Sequence, residues 1–318
     1  MLRHTTLCAA LLIPTLGLAQ GPSVDADGRP KIVKLGTIDI DKVENSPIVF
    51  RDKLYRFEWF RNAKCYHFVE HATGRATAQF AAGWAFGNAF VEGQRVYVTG
   101  TKFGPEIRMF ISDDLEHWQE RTALRMPDGF GIYNTSICRA DNRFVMMFEI
   151  GEPPEEAGAR FTARFAESTD LLDWKPLPAE CNYAKDRYTA PHCLRYLDGY
   201  FYNFYLEAVP GGYHQYVVRS KDLIQWQQSP LNPVLQPSDD DRRIANPQLD
   251  AAARKRIAEA RNINNSDIDL CPHQGRLIIN YSWGNQTGVE HLAEAEYRGS
   301  LADFLRGWFP PEPADARP

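Results

Sequence analysis

Past residue 40 the chain alternates short runs of apolar and aromatic residues with two to five polar residues rich in Gly, Asp, Asn and Arg, and the runs come in pairs. Ser46 to Phe50 leads through a turn to Leu54 to Trp59, and Gly87 to Val91 leads to Val96 to Val98. Thr135 to Cys138 leads to Phe144 to Glu149, and Tyr188 to Leu197 turns at Asp198-Gly199 into Tyr200 to Glu207. Ser266 to Cys271 turns at Gln274-Gly275 into Leu277 to Tyr281. Each pair predicts a β-hairpin.

A second signature follows the hairpins. Ser-x-Asp-Leu-x-x-Trp occurs as Ser112 to Trp118, Ser168 to Trp174 and Ser220 to Trp226, with a looser relative at Ser300 to Trp308. Two signatures recurring in the same order mark one supersecondary unit used repeatedly, at the spacing of a four-stranded sheet. A β-sandwich has no reason to repeat both. The expected fold is therefore all-β, a five-bladed β-propeller spanning residues 41–310, after an N-terminal extension at 20–40 and before a C-terminal tail at 311–318.

Two stretches interrupt the repeat. Tyr66 to Ala82 lengthens the first blade, and Ser229 to Asn262 is inserted between blades four and five. The second contains the one convincing helical run, Leu249 to Arg261, with Asp250 at its start and Arg261 at its end as the helix dipole favours. Such insertions serve as lids or specificity loops, or simply as a solvated surface helix.

Composition narrows the partners. The net charge is −5 among 318 residues and no basic run tracks a face, so neither nucleic acid nor an anionic membrane is expected as a partner. A basic start, an apolar run from Leu7 to Leu18 and small residues near Ala19 read as a signal peptide over residues 1–19, too short to span a bilayer. The expected location is secreted or periplasmic, without membrane insertion after cleavage. The five cysteines beyond Cys8 are widely spaced and odd in number, so neither a disulfide framework nor a zinc site is expected. Metal ligands and cofactors are likewise not called for by any spacing.

In a propeller, residues at the starts of the first strands and the ends of the second strands surround one cavity on the axis. Here they are Glu44, Asn134, Arg187, His192, Asn265, Asp267 and Asp269, with Glu58, Glu149, Glu207 and Trp283 at second-strand ends. Carboxylates, amides, a cation and aromatics suit a sugar, whose hydroxyls take paired hydrogen bonds while its apolar face lies on a ring.

Ala190-Pro-His-Cys-Leu-Arg-Tyr-Leu-Asp-Gly-Tyr-Phe-Tyr resembles the fourth-blade motif of glycoside hydrolase family 43 and its five-bladed relatives, and the repeated Ser-x-Asp-Leu-x-x-Trp closure is similar to theirs. The resemblance implies a secreted glycosidase that uses three carboxylates, and it leaves room for a calcium ion near the axis. Where that family places the three carboxylates, this chain has Ser46, Thr135 (or its neighbour) and Thr189.

The replacements are expected from the same ring: Glu149, Glu207 and Asp267 as the catalytic set, with Glu44, Asn134, Arg187, His192, Asn265, Asp269 and Trp283 binding an oligo- or polysaccharide of plant or algal origin. A carboxyl emerging from apolar strands can hold its proton for acid catalysis. The same residues also read as polar strand ends, turn formers and a satisfied core histidine. Sugar binding without turnover is the alternative function; a polysaccharide lyase with His192 as base beside Arg187 is a third.

Overall fold

A computed structural model describes residues 23–311. The expected signal peptide, Cys8 and residues 312–318 lie outside the described residues.

The described chain is mostly strand. It begins with Ile32–Ile40 (β1), and the first antiparallel meander follows as Asn45–Phe50 (β2), Lys53–Phe60 (β3) and Cys65–Glu70 (β4). Bridges Tyr66↔Phe80 and Val69↔Ala76 add the returning segment to its edge. The second comprises Ala85–Glu92 (β5), Arg95–Thr101 (β6), Glu106–Ser112 (β7) and Gln119–Arg125 (β8). The third comprises Gly131–Ala140 (β9), Arg143–Glu152 (β10), the short helix Pro154–Ala157 (α1), Thr162–Ser168 (β11), Lys175–Pro176 (β12) and Asn182–Tyr183 (β13), the last two both pairing with β11. The fourth comprises His192–Leu197 (β14), Tyr200–Val209 (β15), Gly212–Ser220 (β16) and Gln227–Gln228 (β17).

The inserted segment holds a 3₁₀ turn, Asp239–Arg242, and the helix Ala251–Glu259 (α2), capped by Asp250, whose carboxylate accepts from the Ala253 amide at 2.7 Å. The last meander is Asn264–His273 (β18), Arg276–Gly284 (β19) and Glu290–Tyr297 (β20), followed by the helix Leu301–Gly307 (α3).

Residues 32–40, expected in an extension outside the domain, instead pair as β1 with β20 along its whole length, from Ile32↔Tyr297 to Ile40↔His291. The fifth meander therefore takes one strand from the start of the chain. A single parallel pair, Tyr213↔Asn264, joins it to the fourth. The first strands pack in sequence, β2 on β5, β5 on β9, β9 on β14 and β14 on β18, and β18 packs back on β2.

Burial follows that arrangement, because a sheet with two apolar faces must cover both. Phe57, Phe68, Val98 and Phe110 fill the space between the first and second sheets, and Met109, Met146 and Phe148 that between the second and third. Phe165, Leu194 and Tyr205 join the third to the fourth; Phe204, Val217, Ile279 and Tyr281 join the fourth to the fifth. Between the fifth and first there is only a small apolar cluster of Leu54, Cys271 and Ile278. Cys65, Cys138, Cys181, Cys193 and Cys271 are all buried free thiols.

The Ser-x-Asp-Leu signature has a specific local job. Ser168 Oγ accepts from the amides of Asp170 and Leu171 at 3.2 and 3.0 Å, while Asp170 Oδ1 accepts from Leu172 and Asp173 at 2.8 and 3.0 Å. The copies at Ser112 and Ser220 repeat this pattern, and the leucine in each copy sits at φ near +65°, from 63° to 67°. Two short polar side chains thus satisfy the backbone of a tight turn while the leucine packs inward. The fourth, looser copy is different. Ser300 Oγ accepts from the Asp303 amide at 3.0 Å and caps α3 instead of closing a strand.

Candidate active site

The starts of the first strands converge on a cavity of about 30 Å³, lined by Glu44, Asn45, Asn88, Asn134, His192 and Asp267 among others. That is room for about one water-sized group. Asp267 is aimed there by a bulge: the pairing of β18 with β19 shifts between Ser266 and Asp269, and Asp267 itself has φ +52°. An extra residue of this kind turns a side chain out of the strand's alternation. Ser282 Oγ donates to Asp267 Oδ2 at 2.6 Å.

Two carboxyls face this cavity in a form unlike ordinary surface acids. Burial raises the Glu44 carboxyl well above the usual glutamate range, and the charge of Asp267 adds to the effect. Burial pushes the Asp267 carboxyl up to about 7; hydrogen bonds from Ser282 and Ser266 oppose this, and Glu290 and Glu149 add repulsion. Glu44 Oε2 is buried without a hydrogen-bond partner. A buried acceptor without a partner costs about 1–3 kcal/mol, so this oxygen is available to a hydrogen-bond donor in the cavity.

Glu149 is placed otherwise. Its carboxylate is fully buried, behind the cavity wall, and accepts from the His192 amide at 3.0 Å, from His192 Nδ1 at 2.8 Å and from Asn134 Nδ2 at 2.9 Å. It touches the two cavity-lining residues His192 and Asn134 and orients both. The expectation that Glu149 itself meets substrate is thereby corrected, because no surface of its carboxylate is open.

The positions that the resemblance marks for carboxylates carry hydroxyls, each tied into the ring. Ser46 Oγ accepts from Asn88 Nδ2 at 2.8 Å and the Ala89 amide at 3.2 Å, joining the first sheet to the second. Thr135 Oγ1 pairs with Thr99 Oγ1 at 2.6 Å, and Thr189 Oγ1 with His192 Nε2 at 3.0 Å. Asp269 lines the floor of the cavity but is spoken for: Arg195, Asn88 at 3.1 Å and the Leu270 amide at 2.7 Å all donate to it.

Glu207 and Arg187 lie together but are not among the residues lining the cavity. Arg187 Nε donates to both carboxylate oxygens of Glu207 at 3.2 Å, and its Nη2 to the Tyr183 hydroxyl at 2.8 Å. Glu207 is thus already paired. Asn265 and Trp283 leave the group altogether. They face each other across β18 and β19, so both point to the side that meets β1. Asn265 Oδ1 accepts from Lys34 Nζ at 2.7 Å, its Nδ2 donates to Asp241 at 3.2 Å, and the fully buried Trp283 donates from Nε1 to Thr37 Oγ1 at 2.9 Å. Trp283 has no ring face open to a sugar.

Glu58 occupies a separate and larger cleft of about 690 Å³ between the fifth and first sheets, roofed by residues 245–248. Size alone would favour it, but its buried charges cancel one another. Burial by itself would raise the Glu58 carboxyl, yet Arg56 Nε at 2.5 Å, Lys42 Nζ at 3.1 Å and His67 Nε2 at 2.8 Å surround it and hold it far below the usual range. The axial cavity differs in both respects, with a Glu44 oxygen that has no partner and a raised Asp267 carboxyl.

Two participants escaped the sequence. Glu290, on β20, adds repulsion to both Glu44 and Asp267 and is held by Arg61 Nη2 at 3.2 Å. The Tyr188 hydroxyl is raised chiefly by burial and next by the charges of Glu149 and Asp267, in whose field it lies. Nothing in the local pattern separates Glu290 from neighbouring strand carboxylates, and nothing beside Tyr188 in sequence marks the buried charges it meets in space. Among the described residues, no cluster of His, Cys, Asp or Glu is arranged to hold a metal ion.

No protein-family profile and no curated protein sequence matches the chain. Solved structures do. An RGII complex of BT0996 superposes with a TM-score of 0.60 at 12% identity, covering 89% of this chain and 96% of that one. The α-L-arabinofuranosidase PaAbf62A from Podospora anserina, in complex with cellotriose, gives 0.55 at 11% identity over 87% and 93%. The GH43 endo-arabinanase from Bacillus licheniformis gives 0.52 at 12% identity over 82% and 96%. The chain shares the fold of family 43 and related propeller glycoside hydrolases.

Proposed function

We propose that this chain is a secreted or periplasmic five-bladed propeller that hydrolyses a glycosidic bond in an oligo- or polysaccharide, with Glu44 and Asp267 as its acid and base. The observation that carries the reading is the pair itself: two buried carboxyls on one small cavity, both pushed upward, one with an oxygen lacking any partner. Like-charged neighbours cannot both ionise, so they release their protons in two separated steps and hold acid and base together near neutral pH. The protonated member gives its proton to the departing glycosidic oxygen. The ionised member then draws a proton from the attacking water or attacks the anomeric carbon itself, according to the room between them.

The other residues serve that pair. Asn134, braced by Glu149, offers its amide oxygen to a sugar hydroxyl at the cavity wall, while His192, with its ring nitrogens taken by Glu149 and Thr189, shapes that wall. Arg187 with Glu207 forms a polar pair outside the cavity lining. The shared fold with sugar-bound propellers supports this reading, although the same fold carries more than one chemistry.

Incubation with defined oligosaccharides, followed by mass spectrometry, tests it. Products that together exceed the substrate by one water support hydrolysis; Glu44→Gln and Asp267→Asn then each lower turnover by about 100-fold to 10,000-fold. Full turnover in both variants would sink the assignment. A second reading, sugar binding without cleavage, is favoured by the hydroxyls at Ser46, Thr135 and Thr189, and is the outcome if sugars bind and no product forms. A lyase would instead give a product absorbing in the ultraviolet.

A further inference from the structure

Six aromatic side chains form a continuous series around the same end of the molecule as the cavity. Phe86 and Phe103 have ring centroids 5.1 Å apart, Phe103 and Tyr133 5.6 Å, and Tyr133 and Phe161 4.4 Å. The series continues from Phe161 to Tyr188 at 6.2 Å and from Tyr188 to Tyr213 at 6.4 Å. It spans residues from the second, third and fourth sheets, so it belongs to no single sheet's core. At Tyr188 it reaches the charges of Glu149 and Asp267.

Three further features separate this series from ordinary packing. Phe103 is 43% exposed and is the one aromatic among the exposed large hydrophobic side chains of the described residues. Phe86 and Phe103 both hold left-handed backbone, at φ +50° and +61°. Bulky residues rarely do so, and such strain collects where a surface is shaped for a ligand. Gly151 stands close behind the centre of the arc, where a Cβ would lie 2.7 Å from Tyr133 and 2.8 Å from Phe161.

Polar groups are interleaved with the rings. Tyr133 donates its hydroxyl to Glu152 at 3.1 Å and accepts from Arg160 Nη2 at 3.3 Å, while the Arg160 guanidinium lies 5.4 Å over Phe161. Ring surfaces alternating with paired charges fit a chain of sugars, each with an apolar face and a hydroxyl edge, better than a purely apolar partner.

We infer that the arc from Phe103 to Tyr188 is an extended subsite that seats several consecutive sugars of a saccharide chain, leading the reacting unit to the axial cavity. The small cavity takes only the reacting group; the arc supplies the binding surface for the rest. The inference rests on the hydrolase reading, but it concerns where the saccharide lies and how long it must be.

The test uses the full-length Asp267→Asn protein, so that binding is read without turnover. Calorimetric titrations with the di- and hexasaccharides of xylose, arabinose, glucose and galactose are compared. At least one hexasaccharide is expected to bind about tenfold or more tightly than its disaccharide. Phe103→Ala should remove most of that advantage, and Phe161→Ala should do the same; Ile224→Ala, at an exposed turn of the fourth sheet, should not. Equal affinity for long and short saccharides, no binding by any probe, or retained length dependence in both Phe variants would overturn the inference. So would concentration-dependent dimerisation abolished by Phe103→Ala, which would make the surface a contact between copies. Cleavage by the unmodified protein is measured separately. Length-dependent binding with no cleavage sinks the hydrolase and keeps the arc; cleavage with no length dependence does the reverse.

Discussion

Glu149 Oε1 accepts twice from His192, from its backbone amide at 3.0 Å and from Nδ1 at 2.8 Å. With a carboxylate on Nδ1 the proton belongs on that nitrogen, which leaves Nε2 to accept from the Thr189 hydroxyl at 3.0 Å. One buried acid thus fixes the position, tautomer and ring orientation of a residue that lines the cavity.

Replacing His192 by Ala leaves Glu149 Oε1 buried with the backbone amide alone. The expected cost is about 3 kcal/mol, read from denaturant midpoints. Glu149→Gln is milder, because the amide oxygen can still accept both His192 bonds while the Asn134 amide turns over to accept from the new NH₂. Turnover of Glu149→Gln should therefore exceed that of Asp267→Asn by about tenfold or more. Equal losses would return Glu149 to the reacting groups.

Asp267 sets a pH dependence of stability. Its unfolded value is 3.8 and its folded value about 7, so between them the folded chain binds more protons. Stability from this group is complete below about pH 4 and is lost as pH rises through 7. Asp267→Asn should flatten the fall in melting temperature between those limits. Glu44, also raised by burial, adds a loss of the same sign as pH climbs beyond the ordinary glutamate range, and Glu44→Gln should remove that part.

Activity should decline on the alkaline side once both carboxyls are ionised and no acid remains. The kcat/KM profile of the unmodified protein is expected to bend downward on the alkaline side as the second carboxyl of the pair loses its proton. A profile flat to about pH 10 would contradict the paired-carboxyl assignment.

Trp283→Phe removes one buried hydrogen bond, to Thr37, and keeps an aromatic ring in place. A loss of about 1–2 kcal/mol is expected, with saccharide affinity unchanged. Weakened sugar binding at full stability would restore Trp283 as a platform.

Ser168→Ala strips two backbone amides of their acceptor in the turn after β11. Destabilisation of about 1–2 kcal/mol is expected in thermal unfolding. The equivalent change at Ser220 should give a similar value, because the two turns share one geometry.

Local chemistry made the hairpins and the recurring turn legible. Ser112, Ser168 and Ser220 perform the same bonding in each copy, so the residues repeat with the geometry. The same chemistry misled at Ser300, since a serine that satisfies backbone amides serves a helix start as readily as a turn. The pairing of β1 with β20 leaves no local trace, because the partners lie at opposite ends of the chain. Strand-face assignment failed at Asn265 and Trp283 for a related reason. The bulge between Ser266 and Asp269 changes which residues look toward the axis, and nothing in Asn-Asn-Ser-Asp announces it. Carboxylates at strand ends were visible. Which of them were neutralised, as Glu58 and Glu207 are, depended on cations from other segments, Lys42 for Glu58 in addition to the nearby Arg56, and Arg187 for Glu207.

The partnership of β1 with β20 also dictates an order of events in biosynthesis. Ile32 must wait for Tyr297 before its strand has a neighbour, so the earliest segment to emerge is among the last to be secured. The first four meanders can form as they are made, but the fifth cannot be finished vectorially. Asp267 stands on that fifth sheet, so one wall of the axial cavity rests on the sheet that β1 completes. A nascent chain not yet extended to residue 290, or one proteolytically trimmed of residues 32–40, would retain its first four meanders with the fifth unfinished.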